Sequence, residues 1–287
     1  GDDLSGDDLS GDALSGDDLS GGDLSGIVGI VLAPHFSKAS VGQYHDRARE
    51  VCEARGIPYA AIDSWADEDT WLDFLAGAVE EAAADLPENH HLVFTAHSLP
   101  ERLLADDPYA DQLASSAEAI AGRLDLPRFG AWGIAWQSAG RTPEPWRGPD
   151  ILDVIRDLAE TGKSDGILVC AQGFTSDHLE VLYDLDIEAS ALATDLGLAF
   201  ARTRSLNADP AVMAALAARI HATKPEPTRA PRGARSLGKV VVIGAGVAGL
   251  AAAHRILRDA PASEVTVVEA SDQTGGKIRS GPVGSEE

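Results

Sequence analysis

Apolar positions along this chain alternate between two rhythms: short β-branched runs, and longer stretches with helical spacing. Residues 27–32 form a short apolar run rich in Ile and Val, and read as a buried parallel strand. Residues 43–55 follow with helical periodicity and stop at Gly56. The same alternation predicts strands over 57–62, 91–96, 130–136 and 166–171, with helices over 70–84, 109–124, 150–160 and 211–221. Near the C-terminus, strands at 239–243 and 264–268 flank an Ala-rich helix. Such a β/α order predicts an α/β fold, a parallel sheet covered by helices on both faces. In sheets of this kind functional groups gather just beyond the carboxyl ends of the strands. His35, His97, Gln137 and the segment 173–180 each follow a strand in that way.

Two stretches break the rhythm. Residues 1–25 are five copies of a five-residue unit (GDDLS, GDDLS, GDALS, GDDLS, GGDLS). A stacked solenoid of this period would bury Asp2, Asp7, Asp12 and Asp17 without partners, at several kcal/mol each. Five units also make too short a coil to stack, so the tract is expected to be a disordered acidic leader. Residues 223–238 are Pro-rich and basic, and read as an extended linker.

Charge narrows the function classes. Forty-six acidic against 23 basic residues give a net charge of -23, which argues against nucleic-acid or anionic-membrane partners. No apolar run approaches the roughly 18 residues needed to cross a bilayer, and no secretory signal opens the chain. Cys52 and Cys170 stand far apart. They fit a reducing, cytoplasmic setting and cannot alone hold an iron–sulfur cluster.

Candidate chemistry centres on two places. His97 ends a strand and is followed by Ser98-Leu99-Pro100, where Pro100 holds Leu99 extended. A neutral imidazole so placed can ligate a metal or accept a proton; it can equally be a satisfied polar residue. Glu180, Asp184 and Glu188 recur every four residues and would share one helix face. Hydrated divalent cations favour oxygen ligands in such an array, while a plain solvated acidic face is the alternative.

Five ordered motifs carry a family resemblance. They are Leu32-Ala33-Pro34-His35-Phe36-Ser37 with Tyr44 and Arg47, and Thr95-Ala96-His97-Ser98-Leu99-Pro100-Glu101. Asp107-Pro108-Tyr109 with Gln112-Leu113 comes next, then Trp136-Gln137-Ser138 with Thr142-Pro143, Pro145-Trp146 and Gly148-Pro149-Asp150. The last is Gly173-Phe174-Thr175-Ser176-Asp177-His178-Leu179-Glu180 with Leu182-Tyr183-Asp184. Across residues 27–222 the chain resembles ferrochelatases, in detail the coproporphyrin-type branch. That resemblance implies chelatase-like parallel sheets and insertion of Fe2+, as substrate, into a porphyrin with release of two protons. Carried over, His97 and Glu180 are the catalytic and metal-side pair, and Asp184 and Glu188 an outer metal site. His35, Ser37, Trp136, Gln137, Ser138 and Phe174 are expected around the porphyrin, His35 and Ser37 as supports rather than ligands. The family's opening segment is not seen ahead of residue 27, where the acidic repeat stands. A truncated product that only binds porphyrin or metal, and a cobalt or nickel chelatase of the same fold, remain alternatives.

Gly244-Ala245-Gly246-Val247-Ala248-Gly249 follows a strand and opens a helix, with Glu269 twenty residues after Gly249. Glycines there let the backbone approach a pyrophosphate, and the acid suits a ribose hydroxyl. With Gly275-Gly276-Lys277 the segment resembles the start of flavin amine-oxidase-type proteins, which implies FAD. Beside a chelatase, it implies a porphyrinogen oxidase of the same pathway as fused or upstream partner. The expected organisation is a leader at 1–25, a first-domain remnant at 26–90 and a second chelatase domain at 91–222. A linker at 223–238 and the start of an FAD-binding βαβ unit at 239–287 complete it.

Overall fold

Strand alternation places two apolar cores on opposite sides of one parallel sheet. The computed structural model describes residues 25–125, 132–225, 237–243, 247–260 and 263–268. In chain order, β1 (Ile27–Ile30) leads through a π-helical turn at Lys38–Gly42 into α1 (Gln43–Ala54) and β2 (Tyr59–Ile62). Next come α2 (Asp69–Ala83), β3 (His90–His97), α3 (Glu101–Leu104), α4 (Tyr109–Ala121) and β4 (Trp132–Gln137). They are followed by α5 (Ile151–Thr161), β5 (Gly166–Cys170), α6 (Leu179–Val181), a π-helical stretch Leu182–Ala189 and α7 (Ser190–Asp195). β6 (Ala199–Arg202) and α8 (Pro210–Ala222) complete this part. Of the described residues, 28–50, 60–125 and 132–224 belong to one compact unit; 25–27, 51–59, 225, 237–243, 247–260 and 263–268 belong to a second.

In the larger unit the sheet order is β4-β3-β5-β6, every pair parallel, while β1 and β2 form a separate two-stranded sheet. Leu92, Phe94, Leu168 and Cys170 point to one side of the main sheet, into a core with Trp71, Ile120 and Leu216 from α2, α4 and α8. Val93, Ala135, Ile167 and Val169 point to the other, against Ile155 and Leu158 of α5 and Val181, Leu185 and Ala189. Full burial of each large apolar side chain contributes about 1.5–3 kcal/mol. The two-sided burial explains why these strands read as unbroken apolar runs. Helix ends carry sequence signals. Asp150 caps α5 through the Leu152 amide, and Gly162 stops it at φ 59°. Asp209 caps α8 with Pro210 in its first turn.

Several features depart from the sequence reading, among them the short α3 and α7 and the π-helical turn at Lys38–Gly42. β6 was not anticipated, because Ala-Phe-Ala-Arg carries no β-branched residue. The acidic segment is not one α-helix: α6 is a single turn that opens into the π-helical stretch. Val181, Leu185, Ala189 and Ala193 are all buried, at a strict four-residue repeat. On an α-helix that repeat drifts by about 40° per step. A wider turn keeps all of them against the sheet.

The second unit contains a parallel pair, β7 (Lys239–Ile243) and β8 (Glu264–Val268), joined by α9 (Val247–Asp259). This is the anticipated βαβ order. Residues 1–24 of the 1–25 leader and residues 226–236 of the linker lie outside the described residues.

Candidate metal-insertion site

Alternation along β3 sends His97 to the same side as Val93 and Thr95, the side that the π-helical stretch covers. His97 Nδ1 lies 2.5 Å from the carbonyl oxygen of Ser98. A carbonyl only accepts, so Nδ1 carries the proton and donates, leaving a lone pair on Nε2. The turn supporting this contact is itself fixed. The Ser98 amide donates to the Gln137 carbonyl at 2.8 Å and Ser98 Oγ to the Arg147 carbonyl at 2.7 Å. Tyr109 Oη donates to the His97 carbonyl at 3.2 Å.

Glu180, at the start of the covering segment, faces that lone pair with Oε2 3.8 Å from Nε2. Both side chains remain open to solvent, at 36% and 53%. Two electron-rich atoms facing each other beyond hydrogen-bond distance are stabilised by a positive species between them, either a proton or a metal cation.

Asp184 is one turn further on. Its Oδ2 accepts from Ser138 Oγ, and from Gln137 Nε2 at 3.5 Å. Ser138 takes a positive φ of 60° directly after β4. Nearby, burial pushes the Asp150 carboxyl above its ordinary range, with repulsion from Asp153 and Asp184 adding to it. Glu188 is exposed. Among the described residues, no three His, Cys, Asp or Glu side chains converge as a ready-made cation site.

The loop carrying Glu180 crosses the end of β3 at close range. The Gly173 amide donates to the Thr95 carbonyl at 3.0 Å, and a Cβ at Gly173 would stand 2.5 Å from Ala96 Cβ. Asp177 accepts from Ser205 Oγ, Asn207 Nδ2 and Arg202, which also grips Asp186. The sequence reading did not single out Arg202, Ser205 or Asn207. Their signal was faint: one Arg closing a strand that itself carries no β-branched residue, then a polar turn.

The remaining anticipated residues sit as follows. His35 is buried, its Nε2 2.8 Å from Ser116 Oγ, in a network that continues to Gln172. Ser37 is buried and caps the first π-helical turn through the Ala39 amide, with its Oγ 3.4 Å from Asp107. Trp136 is buried on the opposite side of the sheet from His97, against Tyr109 and under Arg147. Its ring therefore faces the core rather than the His97–Glu180 cleft. Gln137 is buried, opposite His97 in the sheet, with Oε1 unpartnered; Thr95 Oγ1 on β3 is unpartnered too. Phe174 is nearly buried and meets the His178 ring edge-on at 5.4 Å. Beside it lies a hollow of about 440 Å³ lined by Leu32, Trp65, Phe174, His178 and Met213. Gly249 lies within α9, while Gly244, Gly246, Glu269, Gly275 and Gly276 fall outside the described residues.

The ferrochelatase family profile matches residues 17–224. The chain belongs to the ferrochelatase family. A ferrochelatase from Herpetosiphon aurantiacus is 44% identical over 193 residues, 64% of this chain and 62% of that protein. A coproporphyrin III ferrochelatase from Bacillus subtilis is 41% identical over 196 residues, again 62% of its length, and one from a Geobacillus species is equally similar. This ferrochelatase-family chain thus spans about 62% of the length of these relatives. Residues 242–286 match an NAD(P)-binding Rossmann-like domain. Among the described residues no helix is long and apolar enough to cross a membrane.

Proposed function

We propose that this chain acts as a ferrochelatase of haem biosynthesis, inserting Fe2+ into coproporphyrin III in preference to protoporphyrin IX. The reaction exchanges two pyrrole N–H protons for one divalent iron, so the site must hold a cation and receive protons. The observation that carries the reading is Nε2 of His97, with Nδ1 committed to the Ser98 carbonyl, facing Glu180 at 3.8 Å beyond the strand ends. Between them the imidazole and the carboxylate ligate the incoming ion and take up pyrrole protons. Asp184 and Glu188 guide hydrated iron towards them, with Ser138 and Gln137 steering Asp184. His35 and Ser37 support the pocket wall from within the core. The names of the Bacillus and Geobacillus relatives favour coproporphyrin III.

Residues 26–90 are assigned to a first chelatase domain and 91–222 to a second, followed by the 223–238 linker and a flavin-type unit at 239–287. A porphyrinogen oxidase would supply the porphyrin, and the setting is cytoplasmic. FAD is the group implied for the C-terminal unit. The described residues offer it a βαβ scaffold only, because Gly244, Gly246 and Glu269 lie outside them.

Anaerobic Fe2+ insertion, followed by absorbance with each porphyrin, tests the activity. His97→Ala and Glu180→Gln should each lower turnover at least about a hundredfold, the scale of a lost acid–base group, with unchanged circular dichroism. Wild-type turnover in either variant removes the assignment. A second reading is a protein that binds porphyrin or metal without turnover. Porphyrin binding without insertion would select it. Faster insertion of Co2+ or Ni2+ than of Fe2+ would instead indicate a different chelatase.

A further inference from the structure

Arg202 leaves β6 and reaches both ends of the segment that presents Glu180. Its guanidinium makes a two-pronged contact with Asp186, Nε to Oδ1 at 2.6 Å and Nη2 to Oδ2 at 2.9 Å. Nη2 also donates to Asp177 Oδ1 at 3.1 Å, and Nη1 to the Thr203 carbonyl at 2.9 Å. With only 14% of its side chain exposed, Arg202 is held by geometry that a flexible surface pair lacks. Asp177 lies three residues before Glu180, and Asp186 two residues after Asp184, inside the π-helical stretch.

The far side of Asp177 is tied as well. Ser205 Oγ donates to Oδ1 at 2.8 Å, Asn207 Nδ2 to Oδ2 at 3.0 Å, and the Asp177 amide to Asn207 Oδ1 at 3.1 Å. The Asn207 contact first, then Ser205 and Arg202, hold the Asp177 carboxyl below the ordinary range. A π-helical stretch is rare and needs outside support to resist reverting to tighter α-turns. Reversion would rotate Asp184 relative to Glu180, and Glu180 relative to His97. Without the guanidinium, Asp177 and Asp186 would also repel one another across that segment.

We infer that Arg202, through Asp177 and Asp186, is a positioning residue that sets Glu180 opposite His97. It touches no reacting atom. The inference rests on the proposed metal-side role of Glu180, and its test is read on ion binding rather than turnover. A chain that inserts no iron would therefore sink the proposed activity without deciding this one.

The probe is Co2+ added to the full chain, followed by visible absorption, with the His97-dependent part defined by subtraction of His97→Ala. Arg202→Met should weaken that part about tenfold. In a Glu180→Gln background the same change should cost less than about twofold, since a residue that acts through Glu180 has nothing left to position. Arg202→Lys should recover only part of the loss, because an ammonium cannot span both Asp186 oxygens. Asp186→Asn, which keeps the Arg202–Asp177 contact, should reproduce the pattern should Arg202→Met not fold. Equal losses in both backgrounds, or none in either, overturn the inference. So does the absence of any His97-dependent Co2+ signal.

Discussion

Burial without a charged partner makes His35 a liability in acid. Its ring lies edge-on to Trp71 at 5.6 Å and near Tyr109, with Nδ1 unpartnered and Nε2 on Ser116. Burial lowers its proton affinity from 6.5 to about 3. Below pH 6.5 the unfolded chain takes up a proton that the folded chain refuses, so stability falls as the pH drops towards 3. Each unit below 6.5 costs about 1.4 kcal/mol, or about 2 kcal/mol by pH 5. Urea unfolding at pH 6.5 and 5 should show that loss in the wild type and little of it in His35→Gln. Parallel pH curves for the two would show that the imidazole stays solvated. His97, by contrast, keeps a wet ring with one nitrogen committed to a carbonyl, which is the condition for useful chemistry rather than packing.

At the scale of elements, the loop after β5 works because it lies directly on β3. Gly173→Ala would place its methyl 2.5 Å from Ala96 Cβ and 2.7 Å from Ala96 Cα, against backbone that cannot swing aside. Overpacking of this kind costs about 1–3 kcal/mol. A urea midpoint equal to the wild type would show that the loop lifts off the sheet freely. The main strands were legible in the sequence because two-sided burial demands unbroken apolar runs, as in Ile167–Leu168–Val169. The π-helical stretch in the acidic segment was not, although Val181, Leu185 and Ala189 announce it by a period slightly too long for an α-helix. Nothing in local spacing links residue 97 to residue 180. Family motifs brought them together on paper, and parallel topology does so in space by ending β3 beside the loop that follows β5.

For the whole molecule, the order β4-β3-β5-β6 puts β5 inside the sheet, bonded on both edges and covered on both faces. A net charge of -23 strains any compact chain by self-repulsion, which burial of apolar strands such as this one opposes. Cys170 ends it, opposite Phe94, with no exposed surface. Burial pushes its thiol up to about 12, so the folded protein presents almost no thiolate at pH 8. Iodoacetamide can reach the sulfur only when the strands part, which turns one inert side chain into a clock for complete unfolding. Peptide mapping over time should find Cys170 alkylated at a rate that climbs with urea as steeply as the equilibrium transition. Rapid alkylation insensitive to urea would mean that the centre of the sheet breathes on its own.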